Sequence, residues 1–179
     1  ILVIGFGAWE HMGAITSLAE TLGAPVLTTF KGKGLLPDSH PNAAGVLGRS
    51  GTPIASWFMN EADLILTLGT SFSNHTGIEP SKPIIQVDYE RMQLGKFLPV
   101  DLPIWSEIGA FCEAVLHGLS RPGDAPDLLS GLADRWHIWR KEKRSRMEEE
   151  TAKGIHAFAI FDALSRVAPA DAIIAVDVG

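Results

Sequence analysis

The chain has 179 residues, of which 46% are hydrophobic and 20% charged, so it has room for one full domain and part of another. Its formal net charge of −6 argues against nucleic acid as a partner, and no apolar run reaches the ~20 residues that a membrane span needs. The single cysteine, Cys112, excludes an internal disulfide and a cysteine-rich metal site, and it is consistent with a cytoplasmic location.

The first 30 residues predict a strand, a helix and a second strand. Ile1–Ile4 is an apolar run that ends at Gly5 and Gly7, which is typical of a buried parallel strand followed by a tight turn. Glu10–Leu22 carries apolar residues at helical spacing, and Pro25–Phe30 is a second apolar run. A strand, a helix and a strand this close together indicate two parallel strands. Because the chain opens inside a strand without a methionine, we expect it to be part of a longer protein.

The middle of the chain predicts one long loop, two helices and three more strands. Pro37–Thr52 is rich in turn formers and predicts a binding loop. A helix then begins with Thr52 as its N-cap and Pro53 in its first turn. Ser106 is predicted to cap another helix, which ends at Leu116. The three strands are predicted at Asp63–Leu68, Pro83–Val87 and Leu102–Ile104.

The last third of the chain changes in character. We expect residues 1–119 to form a doubly wound, mostly parallel α/β domain, and residues 120–156 to form a helical linker. Residues 157–179 are expected to be the truncated start of a second α/β domain. The elements predicted after residue 120 are a charged helix at Leu128–Glu150, an amphipathic helix at Phe158–Val167 and a strand at Ala172–Val176.

Glycines and polar residues recur at or just after the ends of the predicted strands. In an open parallel sheet, ligands bind beyond the carboxyl ends of the strands, and glycine N–H groups at a helix start can face an anion. Lysine and arginine could pair with phosphate there, and an aspartate could accept the hydroxyls of a ribose. We therefore predict a nucleotide-type crevice. Its residues are Gly5, Gly7, Thr28, Lys31, Gly32, Arg49, Gly69, Thr70, Ser71 and Asp88.

The chain departs from the dinucleotide fingerprint G-x-G-x-x-G in two places. Glu10 stands where the third glycine belongs, and the second strand ends in Thr28 and Thr29 rather than in an acid that could hold a ribose. The glycines are therefore open to a second interpretation, as tight strand-to-helix turns with no ligand. The histidines show no metal-ligand spacing, and no Ser-His-acid group or carboxylate pair emerges. We predict no catalytic residue and no metal ligand in this chain.

Several segments, taken in order, resemble the central domain of thiamine-diphosphate enzymes of the acetolactate synthase, pyruvate oxidase and benzoylformate decarboxylase group. In that family a full chain has three α/β domains, and the central one is a six-stranded, Rossmann-like parallel sheet. The resemblance also implies that residues 157–179 begin the domain that binds thiamine diphosphate. The segments that carry it include Gly5-Phe6-Gly7-Ala8, Ala24-Pro25-Val26-Leu27-Thr28-Thr29, Lys31-Gly32-Lys33-Gly34-Leu35-Leu36-Pro37 and Ile84-Ile85-Gln86-Val87-Asp88.

The resemblance implies a parent enzyme that depends on thiamine diphosphate and Mg²⁺ and acts on 2-oxo acids, as a decarboxylating lyase or as an acetolactate-synthase-like transferase. The family's activating glutamate and its metal-binding Gly-Asp-Gly motif are absent from this sequence, so we expect the chain by itself to be inactive. Its partners would be the other two domains of the parent chain, in a homo-oligomer. The alternative, from a different class, is a stand-alone nucleotide-binding or regulatory module without thiamine chemistry.

Some members of the family hold FAD or ADP in the central domain, and others hold neither. Synthases carry charged residues in the loop that corresponds to Gly69–Thr76, where this chain has Ser71, Ser73, Asn74 and His75. Oxidases have an arginine where this chain has Trp9. We therefore expect no FAD, and at most weak binding of ADP or of an anion.

Overall fold

A computed structural model describes residues 1–73, 75–119, 127–149, 154–169 and 171–175. The chain divides into two compact units, Ile1–Arg135 and Trp136–Gly179. None of the helices in the described ranges combines the length and the hydropathy that a transmembrane helix needs.

The first unit is built on a six-stranded, all-parallel sheet with the strand order β3-β2-β1-β4-β5-β6. This order confirms the predicted doubly wound α/β fold. The chain leaves β1 in one direction to build β2 and β3, and later returns to the other side of β1 to build β4. The strands are β1 (Leu2–Ile4), β2 (Val26–Thr28), β3 (Ala43–Val46), β4 (Ile65–Leu68), β5 (Ile84–Asp88) and β6 (Leu102–Trp105).

One strand lies where the sequence predicted only a loop. Within Pro37–Thr52, the residues Ala43–Val46 form β3, and Thr28 Oγ1 donates a hydrogen bond to Gly45 O over 3.4 Å. The strand is short, contains small residues and a glycine at φ +85°, and therefore lacks any local strand signal. Its pairing with β2 makes it a strand, so the predicted 16-residue loop is wrong.

Two helices cover one face of the sheet. The α1 helix (Met12–Leu22) follows a 3-10 helix at Phe6–His11 and ends at Gly23, whose backbone is left-handed at φ +60°. The α3 helix (Ile108–Gly118) packs beside it. Both helices contribute buried apolar residues to one cluster with alternate residues of β1, β4 and β5.

The helix starts bear out one predicted cap and correct another. The α2 helix (Pro53–Glu61) is capped by Thr52, whose side chain accepts the Ala55 N–H over 3.4 Å, as predicted. Ser106 does not cap α3, because its hydroxyl donates to Glu107 O. The cap is the Glu107 carboxylate, which accepts the N–H groups of Gly109 and Ala110 over 2.9 and 2.6 Å.

The C-terminal helices lie close to their predicted bounds, whereas the strand predicted at Ala172–Val176 is absent from the described residues. The α4 helix covers Leu128–Glu148, and α5 covers Ala157–Val167. In the second unit, the rings of Trp139 and Phe158 meet edge to face, with centroids 6.4 Å apart. Residues 171–175, the described part of the C-terminal segment, contain no strand, while residues 176–179 lie outside the described ranges.

Candidate functional site

The loops after β1 and β4 touch through glycine backbone. Gly5 N–H donates to Leu68 O over 3.0 Å, and Gly7 N–H donates to Gly69 O over 3.1 Å. Gly69 has φ +58°, and a Cβ there would lie 2.5 Å from the carbonyl carbon of Gly7. A Cβ on Gly5 would collide with Gly69 O. Three of the predicted site glycines therefore shape the junction where the strand order reverses.

Three other predicted site residues are also packed into this edge. Thr70 is fully buried, and its hydroxyl lies 3.2 Å from Val3 O and 3.3 Å from Leu68 O. Gly32 N–H donates to Thr29 Oγ1 over 3.2 Å, and a Cβ on Gly32 would lie 2.8 Å from Ile4 O. Thr28 is buried, and its hydroxyl donates to Gly45 O of the neighbouring strand β3. These residues hold the loops together, and the hydroxyl groups of Thr28 and Thr70 have partners within the protein.

A cavity of about 480 Å³ opens beyond the carboxyl ends of the strands, at the edge where the sequence predicted a crevice. Of the predicted residues, Lys31 and Ser71 line it. The loops after β1 through β5 all contribute to its wall. The lining residues are Phe6, Thr29, Phe30, Lys31, Leu47, Ser71, Phe72, Ser73, His75, Thr76, Gln93, Lys96 and Phe97.

The cavity wall combines aromatic rings with two cations. Phe6, Phe30 and Phe97 are more than half exposed, so their rings are available to an occupant. The cations are Lys31, after β2, and Lys96, after β5; Lys96 Nζ lies 5.2 Å from the ring centroid of Phe97. Exposed rings suit a planar group, and lysines suit an anion. The arrangement therefore fits a ligand with both parts.

Arg49, which is a predicted site residue, and the neighbouring cation Lys33 both lie outside this cavity. Arg49 lines a separate cavity of about 300 Å³, which shares His75 with the first one. Its own backbone N–H donates to His75 O over 3.3 Å, so the loops after β3 and β4 meet there. Lys33 Nζ is paired with the Asp38 carboxylate at 2.6 Å. Neither Arg49 nor Lys33 is among the lining residues of the first cavity.

Asp88, which the sequence offered for a ribose, has only 5% of its surface exposed. Its Oδ1 accepts the Glu90 N–H over 2.8 Å, and burial raises the pKa of its carboxyl group. Asp88 is not among the lining residues of the first cavity. Its role as a ribose acceptor stays a prediction.

A third cavity, of about 330 Å³, lies by the starts of α1 and α3 and contains Glu10. Here His11 Nε2 and Glu107 Oε1 are 2.8 Å apart. Glu10 is not among the residues that line the first cavity, where its charge would repel a phosphate. Glu10, which stands where the dinucleotide fingerprint has its third glycine, therefore lies beside the third cavity and not the first.

The segment after β5 contributes to the first cavity, and none of its residues was predicted to do so. Gln93, Lys96 and Phe97 line the first cavity, and Gln86 in β5 binds the backbone of the same segment. The available signal was Gln86 itself, because a polar residue interrupts the otherwise apolar run of a buried strand.

The described residues offer no metal site and no reactive thiol. Among them, no three His, Cys, Asp or Glu side chains are placed to hold a metal ion. The donor set therefore does not fit the divalent metal that would anchor a thiamine diphosphate. Cys112 is fully buried, and burial raises the pKa of its thiol to about 11, so it is a core residue.

A doubly wound sheet with a crevice at its switch point defines a nucleotide-binding-like α/β domain. The family model described as "Thiamine pyrophosphate enzyme, central domain" matches residues 1–115. This match covers most of the chain, which therefore belongs to the family of thiamine pyrophosphate enzyme central domains, as the resemblance predicted.

The similar proteins are enzymes of the same family. The acetolactate synthase isozyme 3 large subunit of Escherichia coli is 29% identical over 168 residues, which are 89% of this chain and 29% of that protein. The pyruvate oxidase of Lactiplantibacillus plantarum is 26% identical over all of this chain and 30% of its own length. The sulfoacetaldehyde acetyltransferase of Rhodobacter capsulatus is 31% identical over 81% of this chain and 26% of its own length. The chain thus spans less than a third of these relatives.

Proposed function

We propose that this chain acts as the central domain of a larger thiamine-diphosphate enzyme. The observation that carries the proposal is the family match over residues 1–115, together with a chain that spans less than a third of its relatives. Thiamine diphosphate, when bound, would accept the electron pair that is released when a bond beside a carbonyl carbon breaks. This chain contributes the scaffold between the domains that would bind the cofactor.

We propose further that the whole protein makes or breaks bonds beside the carbonyl of 2-oxo acids, as a lyase or a transferase. The names of the relatives, which include an acetolactate synthase and a pyruvate oxidase, support this substrate class. A need for Mg²⁺, a cytoplasmic location and a homo-oligomer belong to the same proposal. The resemblance to the family supports the need for Mg²⁺ and the homo-oligomer. The single cysteine favours the cytoplasmic location.

The test is turnover by the complete polypeptide that contains this chain. We expect it to consume pyruvate or another 2-oxo acid when thiamine diphosphate and Mg²⁺ are present, with products identified by proton NMR. The chain alone serves as the control and should leave the substrate unchanged. A complete polypeptide that ends shortly after residue 179, or that leaves a panel of 2-oxo acids untouched, would favour a stand-alone nucleotide-binding module.

For the crevice we propose weak binding of ADP and no retained FAD. The aromatic rings and Lys31 and Lys96 support an adenosine phosphate as the ligand. Both lysines are exposed, and ion pairs at exposed positions are worth only ~1 kcal/mol or less. That is too little to offset the cost of fixing a large flavin.

The purified chain should therefore be colourless and should bind ADP in calorimetry with low affinity. Lys31→Ala and Lys96→Ala should each weaken ADP binding, whereas Lys33→Ala, which breaks an ion pair outside the cavity, should not. Flavin absorbance that stays with the protein through gel filtration at about one flavin per chain would contradict the absence of FAD.

A further inference from the structure

Gln86 is a buried side-chain amide in the middle of β5, with no exposed surface. Its Nε2 donates to Gln93 O over 3.1 Å, and its Oε1 accepts the Gly95 N–H over 2.8 Å. A buried amide is costly unless it is hydrogen-bonded, so these two bonds keep Gln86 compatible with the core. Both bonds reach the same short segment, at two backbone positions two residues apart.

That segment, residues 91–97, forms one wall of the first cavity. Gln93, Lys96 and Phe97 line the cavity, while Met92 is not among its lining residues and is 82% exposed. In the described part of the chain, the segment's other hydrogen bonds are local, within itself or to Glu90. The guanidinium of Arg91 also lies 5.9 Å from the ring centroid of Trp105. Among the described residues, Gln86 therefore supplies the hydrogen bonds that connect this wall to the sheet.

The opposite wall comes from the loop after β2, which carries Phe30 and Lys31. In the strand order, β2 and β5 are separated by β1 and β4, so the two walls stand on either side of the switch point. The distance between Lys31 and Lys96 therefore depends on where residues 91–97 are held.

We propose that Gln86 is a positioning residue for the cavity. It does not line the cavity, and it acts by fixing Gln93 and Gly95, which places Lys96 and Phe97 against an anionic ligand. This inference rests on the proposed ADP crevice. It adds that affinity at the crevice is set from inside the sheet, by a residue that never touches the ligand.

The test compares Gln86→Leu, Gln86→Glu and the control Met92→Ala in the 179-residue chain. Amide hydrogen exchange of residues 91–97 and calorimetry with ADP are measured for each variant, with circular dichroism as the check on folding. We expect Gln86→Leu to speed exchange across the segment and to weaken ADP binding by roughly tenfold, because two hydrogen bonds are lost. Met92→Ala should change neither.

The Gln86→Glu variant adds a pH dependence that simple structural damage would not produce. A protonated glutamic acid can donate to Gln93 O and accept from Gly95 N–H, whereas the ionised form can only accept. Exchange protection and ADP affinity, each relative to the unaltered chain, should therefore recover as the pH falls from about 8 to about 5, since burial raises the pKa of a carboxyl group.

Unchanged exchange in Gln86→Leu, or faster exchange with unchanged ADP affinity, would overturn the proposal. If Gln86→Leu does not fold, the pH dependence of Gln86→Glu decides, and a flat profile overturns it. If the unaltered chain binds no ADP, the proposed crevice fails, and the exchange results alone decide whether Gln86 positions the segment.

Discussion

At the residue scale, the ligand edge of the sheet depends on positions that cannot carry a side chain. Gly5, Gly7 and Gly69 bring two strand ends into backbone contact, and Gly32 brings in a third loop. These glycines make contacts within the protein that do not depend on a ligand. The structure shows these glycines as tight turns, and their interpretation as a ligand site stays a prediction.

Gly69→Ala tests this junction. A Cβ at φ +58° and 2.5 Å from the carbonyl carbon of Gly7 is both strained and crowded, so the free energy of unfolding should fall by at least about 2 kcal/mol. Gly13→Ala is the matched control, because a Cβ there meets nothing within 4 Å and helix α1 gains a better helix former. Urea unfolding of both variants gives the comparison. Equal stability of the two would show that the junction tolerates side chains.

At the scale of single elements, the start of α3 depends on one carboxylate. Glu107→Ala removes the acceptor of two helix N–H groups and should cost about 1 kcal/mol in the free energy of unfolding. Ser106→Ala is the control, and its effect should stay within about 0.5 kcal/mol, since its hydroxyl does not cap the helix. A larger loss for Ser106→Ala would restore the cap that the sequence suggested.

The same cap predicts a pH dependence. The N–H groups of Ala110 and Gly109, and also the nearby His11, hold the pKa of Glu107 below its ordinary value. Its ionised form is thus favoured by folding, and this contribution is present above the ordinary glutamate pKa. The stability difference between the unaltered chain and Glu107→Ala should shrink as the pH falls through the lowered pKa. A difference that grows on acidification would contradict the assignment.

How far the sequence predicted these elements follows from what each element depends on. The apolar runs of β1, β4 and β5 and the Thr52-Pro53 helix start carry local signals, and all were predicted. The β3 strand depends on its pairing with β2, which leaves no distinct local pattern in the sequence. The cap of α3 depends on where the Glu107 side chain points, which the sequence does not show either. The location of the crevice followed from parallel topology. Its wall at residues 91–97 did not, because a buried Gln86 reveals its partners only in three dimensions.

At the scale of the whole molecule, we propose that this chain is the supporting central domain of a larger enzyme. The sheet and its crevice are complete within residues 1–135, yet the described residues hold no metal site. We propose that neighbouring domains supply the cofactor chemistry and that this domain connects them.

The most direct test of that assignment is calorimetric titration of thiamine diphosphate with Mg²⁺ into two samples, the 179-residue chain and the complete polypeptide that contains it. We predict no detectable binding to the chain and saturable binding to the complete polypeptide. A dissociation constant in the micromolar range for the chain alone, or no binding to the complete polypeptide, would contradict it.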